Sequence, residues 1–305
     1  MRRAWLIGVA LAAWMAPALA QTQQERDWCF EMAPSTDQSI NSCSAVLRSE
    51  TNPANRASAF RNRAMAYLAK GDIDRAIADY GEVIRLNPNE AYAFSSRGTL
   101  YYWHKGDYDR AIADQGEAIR LAPDEAVIYV NRGTIYADKG DYDRAIADYG
   151  EAIRLLPAYS YARYKRADAY SNKGDHDHAI AEYSEIIGLN PEWHAFGGRC
   201  AARAIVGQLA EALADCNESL RLRPDDGYPL RNRGFTYLKL GDYDRAIADY
   251  DGVLAKNPKS QNALFGRGVA KLKKRDQAGG DADIAAAKAI DPKIAERFAG
   301  YGVEP

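Results

Sequence analysis

Many of the charged residues in this chain recur with a fixed period, and histidine and cysteine are scarce at four each. His176 and His178 form an HxH pair that could begin a metal site, yet no third ligand stands at metal spacing, so both are expected to be solvated. The Asp-x-Asp in the recurring stretch GDYDRAIADY lacks the glycine and glutamate of a calcium loop. There is no glycine-rich phosphate loop and no Ser/His/Asp set that could act as a nucleophile and base. Four cysteines occur without a CxxC, which argues against dithiol redox chemistry. Seven arginines (Arg63, Arg97, Arg132, Arg166, Arg199, Arg233, Arg267) recur in step with seven acids (Asp79, Asp114, Asp148, Glu182, Asp215, Asp249, Asp283). They could track phosphates, but the one-to-one match favours ion pairs that set helix register. Carboxylates that repeat with the unit behave as scaffold charges. The chain is therefore read as non-enzymatic, with no catalytic residue, metal or cofactor.

The elements that carry these residues are copies of one unit. GDYDRAIADY stands at 140–149 and again at 241–250, with single changes at 71–80 and 106–115. Its glycine suits a left-handed helix C-cap, the aspartate after it can N-cap a new helix, and the apolar residues follow helical spacing. Pro88, Pro123, Pro157, Pro191, Pro224, Pro258 and Pro292 are separated by 35, 34, 34, 33, 34 and 34 residues, a period that means stacked helical hairpins. The extra residue of the second unit falls between Tyr101 and Gly106, and the fifth unit is one residue short.

The flanks differ from the repeat. Arg2 and Arg3, an apolar stretch from Trp5 to Met15, and Ala18-Leu19-Ala20 predict a cleaved signal peptide over residues 1–20, and hence an exported, periplasmic or secreted protein. Gln21 rather than Cys follows the cleavage site, so no lipid anchor is expected, and no other run is apolar enough for stable membrane insertion. The exported chain would keep 38 basic and 42 acidic residues, too acidic a balance for nucleic acid to be the expected partner. Residues 21–52 read as a degenerate half-repeat, 53–292 as seven full units, and 293–305 as a capping helix with a loose tail. In the last unit Arg275 replaces the hinge glycine, and Gly279-Gly280 is expected to interrupt the second helix.

In each first helix a small residue holds the eighth position: Ala64, Gly98, Gly133, Ala167, Cys200, Gly234 and Gly268. A tyrosine follows three residues later in five units, a small residue opens each second helix, and the proline closes the unit twelve residues on. This pattern resembles the tetratricopeptide repeat family. The resemblance implies an all-α solenoid, a right-handed superhelix of antiparallel helix pairs. It also implies a concave face lined by the second, fifth, ninth, twelfth and thirteenth positions of each first helix. Tyr92, Tyr102, Tyr161, Tyr164, His194, Tyr228, Arg231 and Phe235 fall on those positions, as does Phe265, and Trp103 adjoins Tyr102. Such a groove fits a protein or peptide partner, with sugar stacking on the aromatics of an envelope glycan or peptidoglycan factor as the alternative. The Lys and Asn pairs with which family members clamp a C-terminal carboxylate are replaced here, for example by Arg61 with Met65 and Arg231 with Phe235. Gly197 could leave a dent in the face.

The cysteines sit at two breaks in the pattern. Cys200 takes a small position, and Cys216 stands where other units have a large residue on the facing helix. Cys43 occupies the equivalent place in the half-repeat, fourteen residues after Cys29. Two hairpin disulfides follow, Cys29–Cys43 and Cys200–Cys216, each contributing about 3 kcal/mol by loop closure; buried free thiols are the alternative. Mass spectrometry of non-reduced peptides should recover these two links, and a Cys29–Cys200 peptide would refute the pairing.

Overall fold

The computed structural model describes residues 23–31 and 34–305, so the expected signal peptide lies outside the described residues. Among the described residues there is no strand. The chain divides into two units, Met1–Asp141 and Tyr142–Pro305. The first holds α1 (residues 23–30), α2 (Thr36–Ser49), α3 (Pro53–Lys70), α4 (Ile73–Leu86), α5 (Ala91–Leu100), α6 (Tyr108–Leu121) and α7 (Ala126–Asp138). The second holds α8 (Tyr142–Leu155), α9 (Ser160–Lys173), α10 (His176–Leu189), α11 (Trp193–Val206), α12 (Leu209–Leu222), α13 (Gly227–Leu240), α14 (Tyr243–Lys256), α15 (Gln261–Lys273), α16 (Gln277–Ile290) and α17 (Ile294–Gly300).

Each hairpin turns where the sequence places its hinge. Gly71 adopts φ +80°, closing α3 in the left-handed conformation, and the Asp72 side chain accepts the Arg75 amide to start α4. At the worn hinge Arg275 takes the same left-handed conformation, φ +69°, without glycine's freedom. α16 nevertheless runs unbroken through Gly279 and Gly280, against expectation. Asp276 caps it by accepting the Gly279 amide at 3.0 Å, and a Cβ on Gly280 would lie 2.6 Å from Leu272 Cγ, so that glycine permits a close helix approach. The added residue of the second unit is absorbed by a π-helical turn, Tyr101–Lys105, which extends α5.

The arginine and acid series is resolved as ion pairs within both units. Arg63–Asp79, Arg97–Asp114, Arg199–Asp215, Arg233–Asp249 and Arg267–Asp283 are each two-pronged, with N to O distances of 2.7–2.9 Å. Arg166 meets Glu182 through one oxygen only, leaving Glu182 Oε2 and Arg166 Nε buried without partners. These side chains bridge the two helices of a hairpin and are committed to one another, so they form no free phosphate ladder. The fork of a guanidinium fits a carboxylate in one register only. The sulfurs of Cys29 and Cys43 lie 2.18 Å apart, and those of Cys200 and Cys216 2.02 Å, the distance of a disulfide in both cases.

The C-terminal segment does more than close the last hairpin. α17 buries Ile294 and Phe298, and the Phe298 ring packs 4.7 Å from Phe265 and 5.8 Å from Phe235. Phe265, expected on an open face, is therefore fully buried. The final residues are not a loose tail: Val303 is buried and its amide donates to the Phe298 carbonyl.

Breaking one half-buried pair leaves the other charge poorly compensated, so Arg233→Ala and Asp249→Ala are each expected to destabilise the protein by about 2 kcal/mol, a value reduced for partial solvent exposure. In urea denaturation the double variant should cost clearly less than the sum of the singles. Strict additivity would show that the pair does not couple these helices.

Candidate functional site

In the second unit the first helices α9, α11 and α13 present their second and fifth positions on one shared face. There, side chains from three helices meet in a continuous run. The His194 ring lies edge-on to Tyr164 at 5.3 Å and stacks on Tyr228 at 5.2 Å with an interplanar angle of 15°. Trp193 packs edge-on to His194 and Tyr228, and Arg223 lies 4.7 Å over its ring. Arg231 continues the run, its guanidinium 5.2 Å from the Tyr228 ring centre. The Tyr164 hydroxyl donates to Glu192 at 3.0 Å. Tyr161, half exposed, lies in the same helix beside Tyr159, with Lys165 over its ring.

Beside this run lies a pocket of 450 Å³, with Asp168, Asn172, Tyr183, Tyr228, Arg231 and Tyr250 among the side chains around it. Arg297, Phe298 and Tyr301 of the C-terminal segment bound it as well. Asp168 accepts from the Tyr183 hydroxyl at 2.6 Å. The dent expected at Gly197 is filled, because a Cβ there would stand 2.6 Å from Tyr228 Cε1. Glycine at that position lets the tyrosine lie flat against α11. Burial is the main cause that raises the pKa of the Tyr164, Tyr183 and Tyr250 phenols, and it pushes that of Tyr228 up to about 12. All four stay neutral near pH 7, and of these Tyr164 donates to Glu192 and Tyr183 to Asp168.

The two histidines of the HxH pair separate. His178 is largely exposed, its Nδ1 within 2.8 Å of Asp175 and its ring stacked on Tyr170. His176 is not solvated as expected but borders the pocket, where burial lowers its basicity and leaves Nδ1 without a partner. Residues two apart at a helix start point to different sides, so they cannot share an ion. Among the described residues no group of three His, Cys, Asp or Glu side chains could hold a metal.

Of the remaining sequence candidates, Tyr92, Tyr102 and Trp103 lie in the first unit. Tyr92 is 55% exposed and Trp103 67% exposed. Tyr102 is a correction: it is buried among Ala111 and Ile135, and its hydroxyl donates to the Asp138 carboxylate, so its ring is committed to packing. Tyr102 holds the twelfth position of its helix, where Ala204 and Leu238 are buried as well, while Trp103 next to it lies outside. Phe235 contributes one edge to the pocket and otherwise packs against Phe298 and Tyr301. Sequence reasoning passed over Asp168 and Asn172, although they are the ninth and thirteenth positions of their helix, because it selected aromatics. Tyr183 and Tyr250 stand on second helices, outside the first-helix positions that the resemblance marks. Arg297 and Tyr301 lie beyond the repeat and carried no positional signal.

Models described as tetratricopeptide repeat match residues 61–126, 130–192 and 201–269. Among solved structures, the C-terminal part of a TPR repeat-containing protein from Cytophaga hutchinsonii superposes with a TM-score of 0.63 at 17% identity, covering 80% of this chain and 98% of that one. A tetratricopeptide repeat protein from Parabacteroides merdae gives 0.58 at 18% identity, with 85% and 99% covered. The Cut9–Hcn1 hetero-tetramer of the APC/C gives 0.61 at 14% identity, with 97% of this chain and 56% of that chain covered. At these identities the likeness concerns the fold. No curated protein matches the sequence. The matched repeats span most of the chain and coincide with its helical hairpins, and the chain belongs to the tetratricopeptide repeat family, as an all-α solenoid of antiparallel helix pairs.

Proposed function

We propose that this protein is a non-enzymatic interaction scaffold that holds a segment of a partner protein on the inner face of its second unit. The observation that carries the reading is the unbroken run Tyr164–His194–Tyr228–Arg231, contributed by three successive first helices. Aromatic and arginine side chains on a rigid backbone bind with little loss of rotamer freedom, which is why such residues dominate contact energies at interfaces. The ion pairs and hairpin bridges hold the three helices in register before a partner arrives. The arginines and aspartates that recur with the repeat are paired with one another, which supports a scaffold role for those charges.

Two cysteine pairs at disulfide distance support an oxidising compartment, and with it an exported location. No described helix is long and apolar enough to cross a membrane. The assembly of Cut9 with Hcn1 shows a protein of similar fold working within a complex, and the same mode of action is proposed here.

Peptides selected by display against the wild-type protein test the reading. Tyr164→Ala/His194→Ala should weaken their binding by about tenfold or more, as truncation of central aromatic contacts does, with an unchanged circular dichroism spectrum. Peptides that bind both proteins equally would place the contact surface elsewhere, and selection of glycans in place of peptides would favour an envelope-sugar role.

A further inference from the structure

Two glycines on first helices admit tyrosines from the second-helix layer to the inner face. A Cβ on Gly198 would lie 2.6 Å from Tyr183 Cε1, and one on Gly266 would lie 2.7 Å from Tyr250 Cε2. Both glycines hold the sixth position of their helix, where other units carry Asn62, Ser96, Asn131, Lys165 and Asn232. In the first unit the equivalent Tyr80 stops at such a side chain, its hydroxyl engaging Ser96. Through the two glycine windows, Tyr183 and Tyr250 pass further and border the pocket.

The two hydroxyls then differ. Tyr183 donates to Asp168, whereas the Tyr250 hydroxyl is fully buried and has no hydrogen-bond partner. A buried phenol without an acceptor is costly unless a bound molecule supplies one. Arg231 shares the pocket and is likewise unspent. No carboxylate among the described residues pairs with it, its Nε makes only a long 3.4 Å bond to Asn232, and its charge rests over Tyr228. Arg297, by contrast, is taken by Asp291 at 2.8 Å and Asn262 at 3.1 Å. Tyr228, Phe235 and Tyr301 give the pocket aromatic walls, with the last two rings 6.0 Å apart.

We propose that this pocket is a socket for an aromatic monocarboxylate, whose carboxylate accepts from Tyr250 and Arg231 while its ring lies among Tyr228, Phe235 and Tyr301. A single negative charge fits better than a phosphate dianion, because one unpaired guanidinium is present and Asp168 borders the same space. The volume of 450 Å³ is that of a small-molecule site. Such a carboxylate could be a free small molecule or the end of a bound chain. The proposal rests on the inner face being the binding face, but it uses side chains other than Tyr164 and His194.

The test is calorimetric titration of the full chain with phenylacetate, phenylacetamide and an acetylated tetrapeptide ending in phenylalanine with a free carboxylate. Phenylacetate should bind about tenfold or more tightly than the amide, the scale of a hydrogen bond to a charged group. Arg231→Gln should abolish that preference. Tyr250→Phe should weaken the carboxylate by about tenfold while the melting temperature stays level or rises, since it removes an unsatisfied buried hydroxyl. A merely structural Tyr250 would instead show a fall in melting temperature with unchanged binding. If the tetrapeptide binds more tightly than phenylacetate, the source is a chain end; if it binds no better, the source is a free small molecule. Carboxylates that bind no better than the amide, or that are indifferent to both substitutions, overturn the assignment. Peptides that contact only Tyr164 and His194 should be unaffected by Tyr250→Phe, so failure of the socket and failure of the scaffold are distinguishable.

Discussion

The close crossing of the two helices in each hairpin constrains everything built on it. At that crossing the side chains are Ala64 with Ala76, Ala167 with Ala179, and Cys200 with Ala212, all fully buried, and in the last hairpin Gly268 with Gly280. A Cβ on Gly268 would stand 2.9 Å from the Gly280 carbonyl oxygen, so backbone meets backbone there. Helices this near can be bridged by an arginine from one and an aspartate from the other, and the fork geometry then admits one register. Large side chains are displaced to the flanks of the contact, where the second-helix tyrosines fill the space between successive hairpins.

From that displacement comes the pocket. A tyrosine held between layers normally ends against the first helix of the next hairpin. Where that helix carries glycine, the ring passes further and borders the pocket. The glycines of α11 thus have a packing role that their helix propensity alone conceals: Gly198 admits Tyr183, and Gly197 lets Tyr228 lie against the backbone. The Cys200–Cys216 bridge lies in this same hairpin, buried beside the Pro229 carbonyl and Thr236, and ties α11 to α12 where glycine weakens the helix. Binding geometry and local stability are therefore coupled in one hairpin.

Much of this was legible in the residues. The fold followed from period, because a repeated unit must satisfy the same packing each time, and a shared pattern over many copies leaves little freedom. The cysteine partners followed from register, since Cys200 and Cys216 break the pattern at facing positions. Tyr164, His194 and Tyr228 stand at positions that the family resemblance marks, and the structure brings their rings into contact. Less visible was which of those aromatics are free. Tyr102 and Phe265 obey the same spacing yet are buried, one against Ala111 and Ile135 and the other by a helix that begins beyond the last repeat.

Local pattern determined what each unit must be: two helices, a left-handed turn, a small-residue crossing and a matched pair of charges. These depend on contacts within a hairpin, whose partners lie at fixed separations along the chain. Tertiary structure alone decided where the pattern is put to use. Tyr250 gains access through Gly266 on the following first helix, while Phe298 and Tyr301 reach back to Phe235 from outside the repeat. The contacts of Phe298 and Tyr301 join positions that no period relates, and they arise from the three-dimensional path of the chain.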